Sequence, residues 1–198
     1  MIQEEQKKQA YLDTIRETVT KSRDELQFKF YLDLIYDVPL SQDEIVKKME
    51  AYQIPTGGFN CVLIKIRIID GTSQPKEDFI HLVSTFLRNI FADVKPVIFP
   101  LQSRYLCVVL YDNGKLEHTP FIPSLNQLFI FAGSYPAYKL DAAVSCLHAS
   151  ITELNTAYLE CCYCFKHNVR AVQKRSRGTH HRISHQISDR EGERAFKR

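Results

Sequence analysis

The chain reads as an α+β protein: a ferredoxin-like, or split βαβ, sheet with packed helices, preceded by a long N-terminal helix. Three observations predict this. In residues 59–70, FNCVLIKIRIID, the side chains of Val62, Ile64, Ile66 and Ile68 fall on one face and Lys65 and Arg67 on the other. That is the two-residue period of a half-buried strand. Next, Phe79, Ile80, Val83, Phe86, Leu87, Ile90 and Phe91 recur at steps of three and four, the broad apolar stripe of a core-facing helix. Then Val94–Phe99 and Tyr105–Tyr111 are short runs rich in Val, Ile, Leu and aromatic residues, as strands are. Strand, helix, strand, strand is the first half of a split βαβ unit.

The elements divide the chain into an N-terminal segment 1–36, a body 37–170 and a tail 171–198. Residues 3–36 read as one helix. Within it Leu12, Ile15, Val19, Ser22 and Leu26 alternate by three and four, a short heptad seam. The seam fits an amphipathic helix packed on its own domain, or a stem that pairs with a second copy of the chain. Leu12, Ile15, Val19 and Leu26 are therefore the candidate dimer seam, and the chain itself is the expected partner. Past Leu26 the pattern thickens to Phe28, Phe30, Tyr31, Leu34 and Ile35, more than a two-stranded seam needs, so this end is expected to dock on the body.

Pro39 breaks the helix. Ser41 and Glu44 then have capping-box spacing, opening a helix with Ile45, Val46, Met49 and Tyr52 inward that ends before Pro55. Gly57-Gly58 precedes a strand and not a helix N-terminus, which makes it a tight turn and not a phosphate cradle. Pro75 suits the first turn of the helix after the central strand, with Thr72 or Ser73 as its cap. Beyond Tyr111, Asp112-Asn113-Gly114 is a turn signal. Residues 115–126, interrupted by Pro120 and Pro123, support at most a short helix. Leu128–Ala132 reads as a strand and Gly133–Tyr138 as a turn. Leu140–Asn168 reads as a long helix with Leu140, Val144, Leu147, Ile151, Leu154 and Tyr158 inward.

Composition narrows the class. At 44% hydrophobic and 25% charged residues the 198-residue chain is expected to be globular, with one full domain and appendages. The most apolar window, 59–69, is too short to span a bilayer and carries Lys65 and Arg67. The N-terminus MIQEEQKKQ lacks the basic start and apolar run of a signal peptide. A cytoplasmic protein with no membrane partner is expected, its six cysteines reduced. Of 26 basic and 23 acidic residues, eight and three lie in 174–198, leaving 18 and 20 in the rest. The net positive charge thus belongs to the tail, whose few apolar residues argue for disorder. Its basic side chains would attract nucleic acid in a salt-sensitive way, but Phe196 is its lone aromatic residue for base stacking.

Candidate chemistry is sparse. Cys161, Cys162, Cys164 and His167 form the densest set of metal-ligand types, with His148 remote in sequence. A structural zinc site draws paired cysteines from separated segments and no second pair exists, so core packing is the expected role. His180, His181 and His185 sit in the tail, where solvation is expected. Asp78 and Glu153 fit solvated helix faces. No nucleophile elbow, P-loop or dinucleotide fingerprint is present. The sequence thus offers no catalytic, cofactor-binding or metal residue.

The order of elements is similar to a known one. A helix leading to a Ser-x-x-Glu-capped helix, a Pro-x-Gly-Gly turn and the strand FNCVLIKIRI resembles the middle module of AraC-type response regulators of the YesN-like group. The segments SITELNTA at 150–157 and YCFKHNV at 163–169 resemble that module's closing helix, with Ile151 in place of an aromatic residue and His167 near a glycine position. The resemblance covers about residues 25–170. It implies a fold shared with diguanylate cyclases, whose acidic Gly-Gly-Asp/Glu-Glu-Phe hairpin holds metal and activates a hydroxyl. Here that hairpin is Leu101-Gln-Ser-Arg-Tyr105, without a carboxylate, and Asp70 at the first strand's end is a single acid. The implied function is a non-catalytic regulatory and dimerisation module without a cofactor. It would transmit a signal in two-component transcription regulation, and DNA would be met only through domains missing from this chain. The alternative is a catalytic or nucleotide-binding relative of the cyclases.

Overall fold

The computed structural model describes residues 22–69, 75–112, 121–167 and 182–184. The chain divides into two compact units, 1–55 and 56–198.

In the first unit, helix α1 (22–35) is followed by α2 (Gln42–Tyr52). Both end in the same way. Asp37 and Gln53 take left-handed backbone conformations at φ 53° and 56°. The amide of Val38 then reaches the carbonyl of Asp33 at 2.9 Å, and that of Ile54 reaches Met49 at 2.8 Å. These backward bonds satisfy carbonyls left over at the helix ends. The expected capping box opens α2. The Glu44 amide donates to the Ser41 hydroxyl at 3.3 Å, and the Glu44 carboxylate accepts from the Ser41 amide at 2.9 Å. Phe30 meets Tyr52 with ring centroids 6.2 Å apart, and Lys48 lies 5.5 Å over the Phe30 ring while pairing with Asp33 at 3.8 Å. Ile45 is buried as expected, but Val46 is exposed, because it falls one residue outside the helix's apolar stripe.

The second unit is built on strand β1 (Phe59–Ile68), the centre of a sheet ordered β2-β3-β1-β4-β5. Helix α3 (Glu77–Ile90) follows, then β2 (Val97–Leu101) and β3 (Tyr105–Tyr111). After these come α4 (Phe121–Ala132), β4 (Tyr138–Val144), α5 (Leu154–His167) and the short β5 (Arg182–Ser184). Strands β1 to β4 pair antiparallel, with Leu63 opposite Cys107 on one side and Ala143 on the other. The fold is α+β, and β1-α3-β2-β3-α4-β4 is the complete split βαβ unit.

Four expectations are corrected. Leu128–Ala132 is the end of helix α4 and not a strand. Leu125, Leu128, Phe129 and Ala132 are buried at steps of three, one and three, a helical stripe too short to separate from a strand by sequence. Pro123 stands in the first turn, where no amide donor is needed. The expected helix 140–168 is two elements: β4, then α5 entered through a tight turn at Ile151–Glu153. Leu140 and Val144 suit either period, and the ladder to β1 selects the strand, leaving Leu147 exposed. Pro75 precedes Lys76, the residue that begins α3 without a side-chain cap; Thr72 and Ser73 lie outside the described residues. Val94 belongs to a turn at Ala92–Val94, so β2 begins at Val97 and carries Pro100 on an edge strand, where a missing amide is tolerated. The turn signal at Asn113-Gly114 lies outside the described residues.

The two faces of the sheet are covered differently. Val62, Ile64, Ile66, Leu106, Val108, Leu110, Leu140 and Ala142 form a core with Phe79, Val83 and Leu87 of α3 and Leu125, Leu128 and Phe129 of α4. The other face packs on α5 where its side chains are small. β5 pairs parallel with β4, Ala142 opposite Ile183. That strand falls in the tail for which composition suggests no order; pairing a backbone to a sheet edge needs no apolar side chain. No helix of the described residues is long and apolar enough to cross a membrane.

Candidate functional site

The seam between the sheet and α5 collects the chain's sulfur and its buried histidine. Cys61 of β1 and Cys107 of β3 point to the α5 face, with sulfurs 3.6 Å apart. From α5, the Cys161 thiol lies 3.5 Å from the Cys61 carbonyl and 3.6 Å from that of Ala143. Opposite Cys61, Cys107 and Ala143, the helix presents the buried Ala157, Cys161 and Cys164. Small residues on both sides let the helix approach until thiols reach backbone oxygen. None of the six cysteines is joined in a disulfide. Burial pushes the thiols of Cys107 and Cys161 well above their ordinary range, and raises Cys162 and Cys164. Cys61 is drawn down, first by the neighbouring Cys107 thiol. Among the described residues no group of three or more His, Cys, Asp or Glu is arranged to hold a metal ion.

At the end of this seam the chain after β4 folds back on β1. Phe59 and His148 exchange two backbone hydrogen bonds of 2.8 Å, and their rings stack at 5.6 Å. The Ser145 hydroxyl accepts from the Cys61 amide at 2.8 Å, and the Asn60 side chain donates to the Ser145 carbonyl at 3.0 Å. His148 stands between two carboxylates: its Nε2 is 3.3 Å from Oε2 of Glu160, and its Nδ1 is 3.6 Å from Oε2 of Glu153. The Nε2 contact is close enough for an ion pair but is not aligned as a hydrogen bond. Glu160 also accepts from the Cys146 amide at 2.8 Å, while Glu153 accepts from the amides of Ala149 and Ser150. The Glu160 carboxylate raises the His148 pKa against the effect of burial. Burial acts to raise Glu160, but His148 and the Cys146 amide outweigh it and hold Glu160 below its ordinary value.

At the opposite end of the same face the side chains are basic. Lys65 lies 5.7 Å over the Tyr105 ring, and Arg67 engages Asp141 through two nitrogens. The β2–β3 hairpin turns through Gln102–Arg104, all three exposed, with Gln102 at φ 53°.

The sequence-derived candidates scatter across this picture. Leu12, Ile15, Val19, Asp70, His180, His181 and His185 lie outside the described residues. Leu26 is 55% exposed on α1. Cys161 and Cys164 share the buried face of α5, whereas His167 is exposed and packs on Tyr163 with ring centroids 4.1 Å apart. Glu153 is no idle surface acid, and Asp78 is exposed. Sequence reasoning missed Cys61, Cys107 and Glu160 and set His148 aside as remote; strand pairing brings the two cysteines together, and the turn into α5 brings Glu160 to His148. The one available signal was Ser150-x-x-Glu153, which marks a helix start just after His148.

No family model matches the chain, and no curated protein matches it. A solved structure, that of a regulator of polyketide synthase expression from Bifidobacterium adolescentis, is similar at a TM-score of 0.45 and 17% identity. The match covers 81% of this chain and 55% of the other, so the chain spans about half the length of that protein.

Proposed function

We propose that the chain is a non-catalytic regulatory and dimerisation module of an AraC-type transcriptional response regulator, of the kind that relays a signal between a receiver and a DNA-binding domain. One observation carries the reading: a complete split βαβ sheet whose β2–β3 hairpin offers Gln102, Ser103 and Arg104 where a cyclase of this topology needs carboxylates. The adjoining sheet surface supports it, since Lys65 and Arg67 would repel a metal ion and Asp141 is already engaged by Arg67. A two-metal phosphoryl-transfer site needs paired carboxylates to hold its ions.

Incubation with GTP and magnesium, followed by chromatography of the nucleotides and calorimetry of GTP binding, tests this. The expected result is no cyclic dinucleotide and no magnesium-dependent binding. Magnesium-dependent turnover that is lost in Asp70→Ala would overturn the proposal in favour of a catalytic relative of the cyclases.

A further inference from the structure

We propose that His148 is a proton-operated latch: its imidazolium, held between Glu160 of α5 and Glu153 at the entry to α5, fastens that helix to the sheet, and loss of the ring proton loosens it. The inference stands on geometry and does not depend on the function proposed above.

His148 is 9% exposed, and both ring nitrogens face carboxylate oxygen, at 3.3 Å and 3.6 Å. A neutral imidazole has one N–H and one lone pair, so it can meet one carboxylate and must turn a lone pair toward the other. Only the doubly protonated ring suits both. Among the described residues, the ion pairs of Glu153 and Glu160 are both with this ring. Among the described residues, the Phe59 ring also stacks on it at 5.6 Å, and the Cys61 thiol acts on it, its negative form also favouring the imidazolium. The latch ties distant parts of the chain together. His148 is bonded through its backbone to Phe59 of β1, Glu160 is on the second turn of α5, and the Glu160 carboxylate also holds the Cys146 amide.

The direction with pH follows from linkage. His148 is raised above its ordinary 6.5, so its stabilisation is whole below 6.5 and is lost as pH climbs through the raised value. Glu160 is held below its ordinary 4.5, so its contribution is whole above 4.5 and is lost as pH falls through the lowered value. The latch is therefore tightest between those two ordinary values, and it opens on the alkaline side first in the neutral range.

Amide hydrogen exchange read by mass spectrometry at about pH 5.5 and about pH 8.5, corrected for intrinsic rates, tests this on the full chain. Protection in 154–167 relative to β3 should fall by up to about tenfold for each pH unit between 6.5 and the raised value. It should be flat with pH in His148→Gln. A flat profile in the parent, or an unchanged slope in the variant, would overturn the latch. If the variant does not fold, the imidazole of the unaltered protein can be titrated by NMR: a midpoint above 6.5 is expected, and one below it sinks the proposal.

Discussion

Arg67 holds Asp141 with a two-pronged grip across the β1–β4 ladder, Nε to Oδ2 at 2.8 Å and Nη2 to Oδ1 at 3.1 Å. The partners are diagonal, because Asp141 stands opposite Lys65 and Arg67 opposite Lys139. The Arg67 side chain is 47% exposed and that of Asp141 only 11%, so the carboxylate is the more dependent member. Arg67→Ala should cost about 1–3 kcal/mol, since it leaves that carboxylate largely buried and short of donors. Urea denaturation measures this. A loss no larger than the few tenths typical of surface pairs would mean that water replaces the guanidinium freely.

Gly57 is required by a close approach. A Cβ built there would lie 2.8 Å from the Asp112 carbonyl oxygen, a backbone atom that cannot swing away. The Asp112 amide bonds the Gly58 carbonyl at 2.6 Å, so the strand ends are already drawn tight. Gly57→Ala is expected to destabilise by about 1–3 kcal/mol, the range for overpacking a closed site. A melting temperature equal to the parent's would show that the turn yields.

Thiol labelling should divide the cysteines. Cys61, Cys107, Cys161 and Cys164 are buried, while Cys146 and Cys162 are partly exposed. A thiol reagent at neutral pH should modify the latter two first and the other four only as the unit opens. Peptide mapping at intermediate times reads the order. Early modification of Cys61, which its lowered pKa favours chemically, would mean that the α5 seam opens on the labelling timescale.

The proposed dimer stem makes its own prediction. If Leu12, Ile15, Val19 and Leu26 line a self-pairing seam, replacing Ile15 and Val19 together by Asp puts charges into an apolar contact, which is costly unless they are paired. The parent should sediment as a dimer at tens of micromolar, and the double variant as a monomer with the body's circular dichroism retained. A monomeric parent would show that the helix packs on its own domain.

The sequence was most informative where one face of an element repeats a single period over many residues. The side-chain alternation of β1, the stripe of α3 and the Ser41–Glu44 cap are all local patterns, set by side-chain direction and by hydrogen bonds a few residues long. It was ambiguous at 121–144. There Leu140 and Val144, and likewise Leu128 and Ala132, fit both periods, and the smallness of Ala142 and Ala143 removes the contrast that would separate them.

Tertiary structure decided two things. Pairing with β1 made 138–144 a strand, and that shortened the closing helix to 154–167 and laid it on the sheet's second face. The seam followed from this: Cys61 and Cys107 meet across a ladder, Cys161 reaches them from α5, and His148 meets Glu160 twelve residues on, across a turn and a helix start. Side chains so separated in the chain carry no shared period. What the sequence determined alone was the apolar face of β1 and of α3 and the cap of α2, because those depend on neighbours within a few residues. Which thiols touch, and whether a histidine stands between two carboxylates, depended on how the sheet closed, since only the fold brings those groups within reach of one another.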